Sequence, residues 1–210
     1  MQKLEQIYEG KAKKVFATDD PGLVIVEYKD DATAFNGQKK GTIRGKGIIN
    51  NRMSNCLMLL LENAGIPTHF VRELNERETV VKKVTIVPLE VIVRNISAGS
   101  FSKRYGVEEG IKFEEPVIEF EEPVIEFSYK NDRLGDPLLN TSHALSLKLA
   151  TEEEIKTIRS YSLKINTCLQ AFWAECGITL VDFKLEFDKT AGGSTIITQT
   201  LIFNGSTPRS

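Results

Sequence analysis

At 210 residues the chain can bury a sizeable core but is short for two large independent domains, so one compact domain or two small, closely packed ones are expected. Its 41% hydrophobic and 27% charged residues, with a net charge of −2, exclude a disordered chain and leave no sequence-wide basic field for nucleic acid. The longest apolar run, Cys56-Leu57-Met58-Leu59-Leu60-Leu61, is far below the roughly 20 residues that span a bilayer, so no membrane partner is expected.

The amino terminus, Met1-Gln2-Lys3-Leu4-Glu5, lacks the apolar stretch of a secretory signal. The three cysteines, Cys56, Cys168 and Cys176, are odd in number and show no C-x-x-C spacing, which points to a reduced cytoplasmic setting. Two histidines, His69 and His143, cannot build a His-rich zinc site, so any metal is expected to be a hard cation on carboxylate and phosphate oxygens.

In chain order, Gln6-Ile7-Tyr8, Lys14-Val15-Phe16 and Leu23 to Tyr28 are short β-branched and aromatic runs broken by turn residues, which predicts an antiparallel meander. A first long helix is predicted after Gly45-Lys46-Gly47, with Ile49, Met53, Cys56, Leu57, Leu60, Leu61 and Ala64 on one stripe and Gly65 and Pro67 as its stop. Strands are predicted again at Thr79-Val80-Val81 and from Val84 to Asn95. The segment Glu-Glu-Pro-Val-Ile-Glu-Phe occurs at 114–120 and again at 121–127. Seven residues reverse the faces of a continuous strand, so one copy is expected to bulge, and the second to lead in register into Ser128-Tyr129-Lys130.

A second long helix opens at Thr151 with Glu154 as a capping box. Ile155, Ile158, Ser162, Ile165, Leu169, Phe172 and Cys176 share its face, Cys168 and Trp173 border it, and Gly177 ends it. A final hairpin is predicted from Ile178 to Phe187, through Asp188 to Ser194, and back over Thr195 to Phe203. Strands with long helices between them and no regular βαβ alternation predict an α+β fold.

Several segments carry residues suited to chemistry. Gly10-Lys11-Ala12-Lys13 lies between two predicted strands, where glycine admits an anion to the backbone and lysines supply compact charge; a basic hairpin tip has the same appearance. It lacks the Walker A spacing. Gly45-Lys46-Gly47 with Asn50 and Asn51 reads either as an anion site at a helix start or as a glycine turn with an Asn cap. On one face of the strand at 88–95 stand Glu90, Ile92 and Arg94, whose charges need partners, in an ion pair or on a ligand. Ser97-Ala98-Gly99-Ser100 then turns into a short helix with Lys103 and Arg104, a second possible phosphate cradle. In Leu180 to Phe187, Val181, Phe183, Leu185 and Phe187 alternate with Asp182, Lys184 and Glu186, a salt-bridge row or a platform for a magnesium nucleotide.

Together these segments resemble the SAICAR synthetase family, the phosphoribosylaminoimidazole-succinocarboxamide synthases of purine biosynthesis. The resemblance is carried, in the family's order, by Tyr8 to Lys13, Lys46 to Asn51, Gly65 to Thr68, Val81-Lys82-Lys83, Val87 to Asn95, Ala98-Gly99-Ser100, Lys130-Asn131-Asp132 with Gly135-Asp136-Pro137, and Leu180 to Phe187. It implies a two-lobed α+β fold related to ATP-grasp or kinase-like nucleotide folds, with antiparallel sheets and two long helices. The lobes it implies are a nucleotide-binding lobe at 1–83 and a substrate and ATP lobe at 84–210, the latter expected to be truncated or altered after about 187.

The activity implied is ATP-dependent ligation of L-aspartate to the carboxylate of 5-amino-1-(5-phosphoribosyl)imidazole-4-carboxylate through an acyl phosphate. Carried over by motif, Gly10, Lys11, Ala12 and Lys13 hold ATP phosphates, the backbone at Lys82 meets the adenine, and Glu186 holds Mg2+. Glu90, Arg94, Gly99 and Ser100 take the ribonucleotide, with Ser100 on its phosphate. Lys130, Asp132 and Asp136 line the substrate side, and Asp182 and Lys184 stand at the reacting centre. The partners implied are these small molecules, with a homodimer left open. The sequence departs from the family in its duplicated heptad and in its last residues, Thr200 to Ser210, where the family's second metal carboxylate, a substrate arginine and a closing helix are expected. An impaired adenine-nucleotide-binding relative and a small-molecule kinase are therefore the competing expectations.

Overall fold

β-branched and aromatic runs closed by turn residues set the first strands where the sequence predicts them. In the computed structural model, which describes residues 1–34, 39–112, 123–198 and 202–206, with side chains for all of these but 33–34, 39–40, 132 and 202–206, β1 (Lys3–Glu9), β2 (Lys13–Thr18) and β3 (Leu23–Tyr28) run antiparallel. They are followed by β4 (Asp31–Ala34), β5 (Lys39–Thr42), α1 (Lys46–Asn63), β6 (Phe70–Asn75) and β7 (Glu78–Lys82). The chain divides into two compact units, Met1–Thr85 with Lys189–Ile196 and Ile86–Asp188 with Ile197–Ser210.

In the first unit the sheet order is β1-β2-β3-β7-β6, with β4 and β5 as a separate antiparallel pair. Val24, Val26, Tyr28 and Val81 form a buried cluster on which Val15 packs. The helix α1 packs on β3, β6 and β7 through a face different from the apolar stripe read in the sequence. Leu57 and Leu61 are buried, but Ile49, Cys56 and Ala64 are exposed, and Gly47, Asn51, Ser54, Asn55 and Met58 point inward instead. The reason is polar pairing. The Thr79 hydroxyl donates to Asn51 Oδ1 at 2.7 Å or to Asn55 Oδ1 at 3.0 Å, Asn51 Nδ2 donates to the Asn75 carbonyl, and Asn55 Nδ2 donates to Glu73. Buried amides satisfied in this way take core positions that hydropathy assigns to leucine. The helix ends at Gly65 as predicted, at φ +77°, with the Ile66 N–H donating to the Leu61 carbonyl and the Gly65 N–H to that of Glu62.

The remaining elements are β8 (Thr85–Arg94), α2 (Gly99–Tyr105), β9 (Val124–Tyr129), a 3-10 turn (Asp132–Leu134), β10 (Leu138–Leu139), α3 (Thr141–Ser146), α4 (Glu152–Glu175), β11 (Thr179–Lys189), β12 (Thr195–Ile197) and β13 (Ile202–Ser206). The sheet order is β10-β9-β8-β11-β12, and β13 pairs antiparallel with β11. The first copy of the heptad and residues 121–122 lie outside the described residues. The second copy supplies Val124 to Phe127 of β9, in unbroken antiparallel register with β8 from Leu89↔Tyr129 to Arg94↔Val124.

In α4 the capping box is formed: Thr151 Oγ1 accepts from the Glu154 N–H and Glu154 Oε2 from the Thr151 N–H. Ile155, Ile158, Ser162, Ile165 and Leu169 are buried as read. Trp173 completes the buried face where Phe172 and Cys176 were expected, since Phe172 is half-buried and Cys176 exposed. Asn166, also buried, exchanges two side-chain hydrogen bonds of 2.9 Å with Asn95. The last hairpin differs from expectation in that β11 runs through Asp188 to Lys189 before the chain turns; residues 199–201 of the return lie outside the described residues. Among the described residues no helix is long and apolar enough to cross a membrane.

Candidate active site

Strand alternation in the second unit puts apolar groups on one face of the sheet and charges on the other. Leu89, Val91 and Val93 of β8 and Phe183, Leu185 and Phe187 of β11 are buried, while Glu90 and Arg94 share a face with Asp182, Lys184 and Glu186. Lys184 Nζ donates to Glu90 Oε1 at 2.8 Å, Arg94 Nη1 to Asp182 Oδ2 at 2.6 Å, and Lys130 Nζ pairs with Glu186. The carboxylate side chains are 10% exposed or less, so each carboxylate sits largely out of bulk water against its cation.

Arg94 is the hub. Its Nε donates to Glu126 Oε2 at 2.7 Å and its Nη2 to the Ser100 hydroxyl at 3.1 Å, and its guanidinium lies 5.7 Å from the Phe101 ring centroid. Ser100 stands on the exposed first turn of α2, whose opening residue Gly99 donates its N–H to Glu109 Oε1 at 2.9 Å.

Lys130 leads into a loop that Asp136 organises. Asp136 Oδ1 accepts from the Asn131 N–H at 2.8 Å and its carbonyl accepts from Ser128 Oγ at 2.8 Å, with Asp136 itself in the left-handed region at φ 48°. Asp136 thus shapes the loop that carries Lys130. Asp132 opens the 3-10 turn, and its side chain lies outside the described residues.

Asp188 continues the acidic row of β11. Its oxygens accept from the Val87 N–H at 2.9 Å and the Thr198 hydroxyl at 2.5 Å. Burial pushes its carboxyl above the ordinary value, with the neighbouring Glu186 charge adding to the rise, while the two hydrogen bonds oppose it. Among the described residues no three His, Cys, Asp or Glu side chains converge on a metal position. Glu186, a hard oxygen donor paired with Lys130 in an acidic row with Asp182 and Asp188, fits a magnesium ion that would arrive on nucleotide phosphates and keep several waters, and does not fit an all-protein cage.

In the first unit, Gly10 to Lys13 connect β1 and β2. The Gly10 N–H donates to the Lys13 carbonyl and the Lys29 N–H to the Ala12 carbonyl, both at 2.8 Å. The Lys11 side chain is exposed, and Lys13 Nζ lies 5.3 Å from the Tyr28 ring centroid. At the end of β7 the Lys82 N–H donates to the His69 carbonyl at 2.7 Å and its Nζ to the Thr68 carbonyl at 2.9 Å. The N-terminus of α1, one of the three anion-site candidates, is filled by the chain itself. Asp30 accepts from the N–H groups of Gly45 and Gly47 and is clamped bidentately by Arg77, which together hold its carboxyl well below the usual carboxylate range. Asn51 serves the core, as described above.

The SAICAR synthetase family model matches residues 6–201. A phosphoribosylaminoimidazole-succinocarboxamide synthase of Lachnoclostridium phytofermentans is 59% identical over 189 residues, covering 90% of this chain and 77% of that protein. The chain belongs to the SAICAR synthetase family. Its fold agrees: the crystal structure of the phosphoribosylaminoimidazole-succinocarboxamide synthase from Ehrlichia chaffeensis is 46% identical with a TM-score of 0.85, over 93% of this chain and 81% of that one. A SAICAR synthetase solved in complex with ADP is 44% identical with a TM-score of 0.83, over 91% of this chain and 78% of that one.

The motif residues of the SAICAR synthetase pattern in the second unit, Glu90, Arg94, Ser100, Lys130, Asp182, Lys184 and Glu186, are therefore joined by direct ion pairs and hydrogen bonds. Two members of the same charged face were missed in the sequence, Glu126 and Asp188. Alternation within β9 puts Glu126 on one face with Val124 and Ser128, but only the register, which sets Val124, Glu126 and Ser128 opposite Arg94, Ile92 and Glu90 respectively, brings Glu126 beside Arg94.

Proposed function

We propose that this chain catalyses the ATP-dependent joining of L-aspartate to the carboxylate of 5-amino-1-(5-phosphoribosyl)imidazole-4-carboxylate, a cytoplasmic step of purine biosynthesis. The observation that carries this reading is the row of ion pairs Lys184–Glu90, Arg94–Asp182 and Lys130–Glu186, set on the motif positions of a chain 59% identical to a synthase of that name. The breadth of that identity, over 189 residues, favours the ligase over an impaired nucleotide-binding relative.

A carboxylate is a poor electrophile. Transfer of the γ-phosphoryl group to a carboxylate oxygen gives an acyl phosphate and ADP; the aspartate amine then attacks the acyl carbon, phosphate leaves, and the amine gives up a proton. The protein is asked chiefly to position the reactants and neutralise their charge. In this reading Lys11 and Lys13, with the backbone of Gly10 and Ala12, hold ATP phosphates, and the Lys82 segment meets the adenine. Glu90, Arg94, Gly99 and Ser100 take the ribonucleotide, Lys130, Asp132 and Asp136 line the substrate side, and Asp182 and Lys184 face the reacting carboxylate. Glu186 would hold Mg2+, which supplies charge neutralisation to the phosphates. The ion pairs keep the cations ordered until anionic ligands compete for them.

Purified protein with ATP and magnesium is expected to release ADP only when both aspartate and the imidazole ribonucleotide are present, with an amide product of the summed mass less water. ADP release without aspartate, accompanied by a stable phosphorylated product, would favour a small-molecule kinase; no substrate-dependent ADP release would overturn the reading.

A further inference from the structure

The Glu126 side chain, 9% exposed, gives one carboxylate oxygen to each of two arginines: Oε2 accepts from Arg94 Nε at 2.7 Å and Oε1 from Arg104 Nη1 at 2.8 Å. Arg94 belongs to β8 and Arg104 to α2, the helix whose first turn carries Ser100. One buried acid therefore connects the strand and the helix that would meet the ribonucleotide phosphate.

We propose that Glu126 is a positioning residue for the phosphate end of the ribonucleotide subsite, fixing the plane of the Arg94 guanidinium and, through Arg104, the placement of Ser100. This deepens the functional reading above and rests on it. The five guanidinium donors lie in one plane, so a single partner leaves the group free to swing about that contact. Arg94 is gripped at Nε by Glu126 and at Nη1 by Asp182, two separate edges, and this aims its Nη2 edge at Ser100 Oγ. Arg104, with a side chain 34% exposed, is held to the same carboxylate, so α2 cannot shift without breaking a charge-assisted hydrogen bond.

Charge and geometry make opposite predictions here. A carboxylate close to a phosphate subsite repels the ligand, so if Glu126 acted through its charge alone, neutralising it would tighten binding. If it acts by positioning, Glu126→Gln loosens binding, because a glutamine offers one acceptor to two guanidinium groups and turns its amide donors toward the other.

The test measures substrate-dependent ADP release, together with equilibrium binding of the imidazole carboxylate ribonucleotide. Glu126→Gln is expected to raise KM and Kd for that nucleotide about 10-fold, the usual scale for groups that orient a ligand-binding side chain, with kcat and the KM for ATP held within about twofold. Glu126→Asp, which keeps both acceptors, should recover part of the loss. Glu119→Gln, at the matching place in the first heptad copy, should leave all three constants unchanged. Should Glu126→Gln fail to fold, Arg104→Ala at its half-exposed side chain must raise the nucleotide KM in the same direction. An unchanged or lowered nucleotide KM in Glu126→Gln, or an effect at Glu119 instead, overturns the inference alone. A wild-type chain that neither binds the nucleotide nor releases ADP overturns the functional reading and this inference with it.

Discussion

Arg94 and Asp182, 88 positions apart in the chain, meet at 2.6 Å with side chains 5% and 9% exposed. Such a pair is a poor source of net stability but an expensive one to break, since the surviving charge stays buried. Asp182→Ala is expected to cost about 3 kcal/mol of unfolding free energy, the low end for a broken buried pair because Glu126 still faces Arg94. Urea denaturation of Asp182→Ala, Arg94→Met and the double variant should give a coupling energy of at least about 1 kcal/mol. Additive losses would mean that the two side chains do not depend on each other.

The Asp30 carboxylate at the start of α1 gives a pH-dependent counterpart. Hydrogen bonds from Arg77 come first among the causes that hold its pKa down, followed by the N–H of Gly47. A depressed folded-state pKa contributes stability that is fully present above the unfolded-state value, about 3.9 for aspartate, and is lost as pH falls toward the folded value. The wild-type urea midpoint should therefore fall more steeply below about pH 4 than that of Asp30→Asn, and the gap between them should close in acid. Parallel pH profiles for the two proteins would contradict this.

Gly47 lies where α1 passes close to β3. A Cβ there would overlap the Tyr28 carbonyl oxygen and sit 2.6 Å from Arg77 Nη1. Backbone on one side and a clamped guanidinium on the other leave little room to yield, so Gly47→Ala should cost about 1–3 kcal/mol, the usual range for overpacking, despite alanine's better helix propensity. Thermal unfolding would show it, and a stabilised variant would refute it.

Legibility in the sequence tracked whether burial was apolar. β11 could be read residue by residue because Val181, Phe183, Leu185 and Phe187 alternate with charges, and α4 because Thr151 and Glu154 announce its first turn. The buried face of α1 could not, since Asn51 and Asn55 are buried by their bonds to Thr79, a partner that hydropathy periodicity does not see. β6 was invisible for a different reason: in its sequence the apolar residues Phe70, Val71 and Leu74 do not alternate with the polar ones, so it shows no strand period. Within the site, motif positions were legible one at a time, but Glu126 meets Arg94 only through the β8–β9 register, and no spacing along the chain encodes it.

That same row of charges sets an expectation for magnesium. Glu186 is largely buried, paired with Lys130, and two residues from Asp188, whose own oxygens are committed to the Val87 N–H and the Thr198 hydroxyl. Among the described residues no three-ligand cluster is present, so if Glu186 holds the ion as proposed above, its other ligands would come from phosphate and water. Chelation by excess EDTA should abolish ADP release, and Glu186→Gln should raise the magnesium concentration for half-maximal activity about 10-fold. The KM for ATP should change much less, since Lys11 and Lys13, not Glu186, are the residues proposed to hold its phosphates. A magnesium titration at saturating ATP separates these effects, and an unshifted midpoint would remove Glu186 from the metal's surroundings.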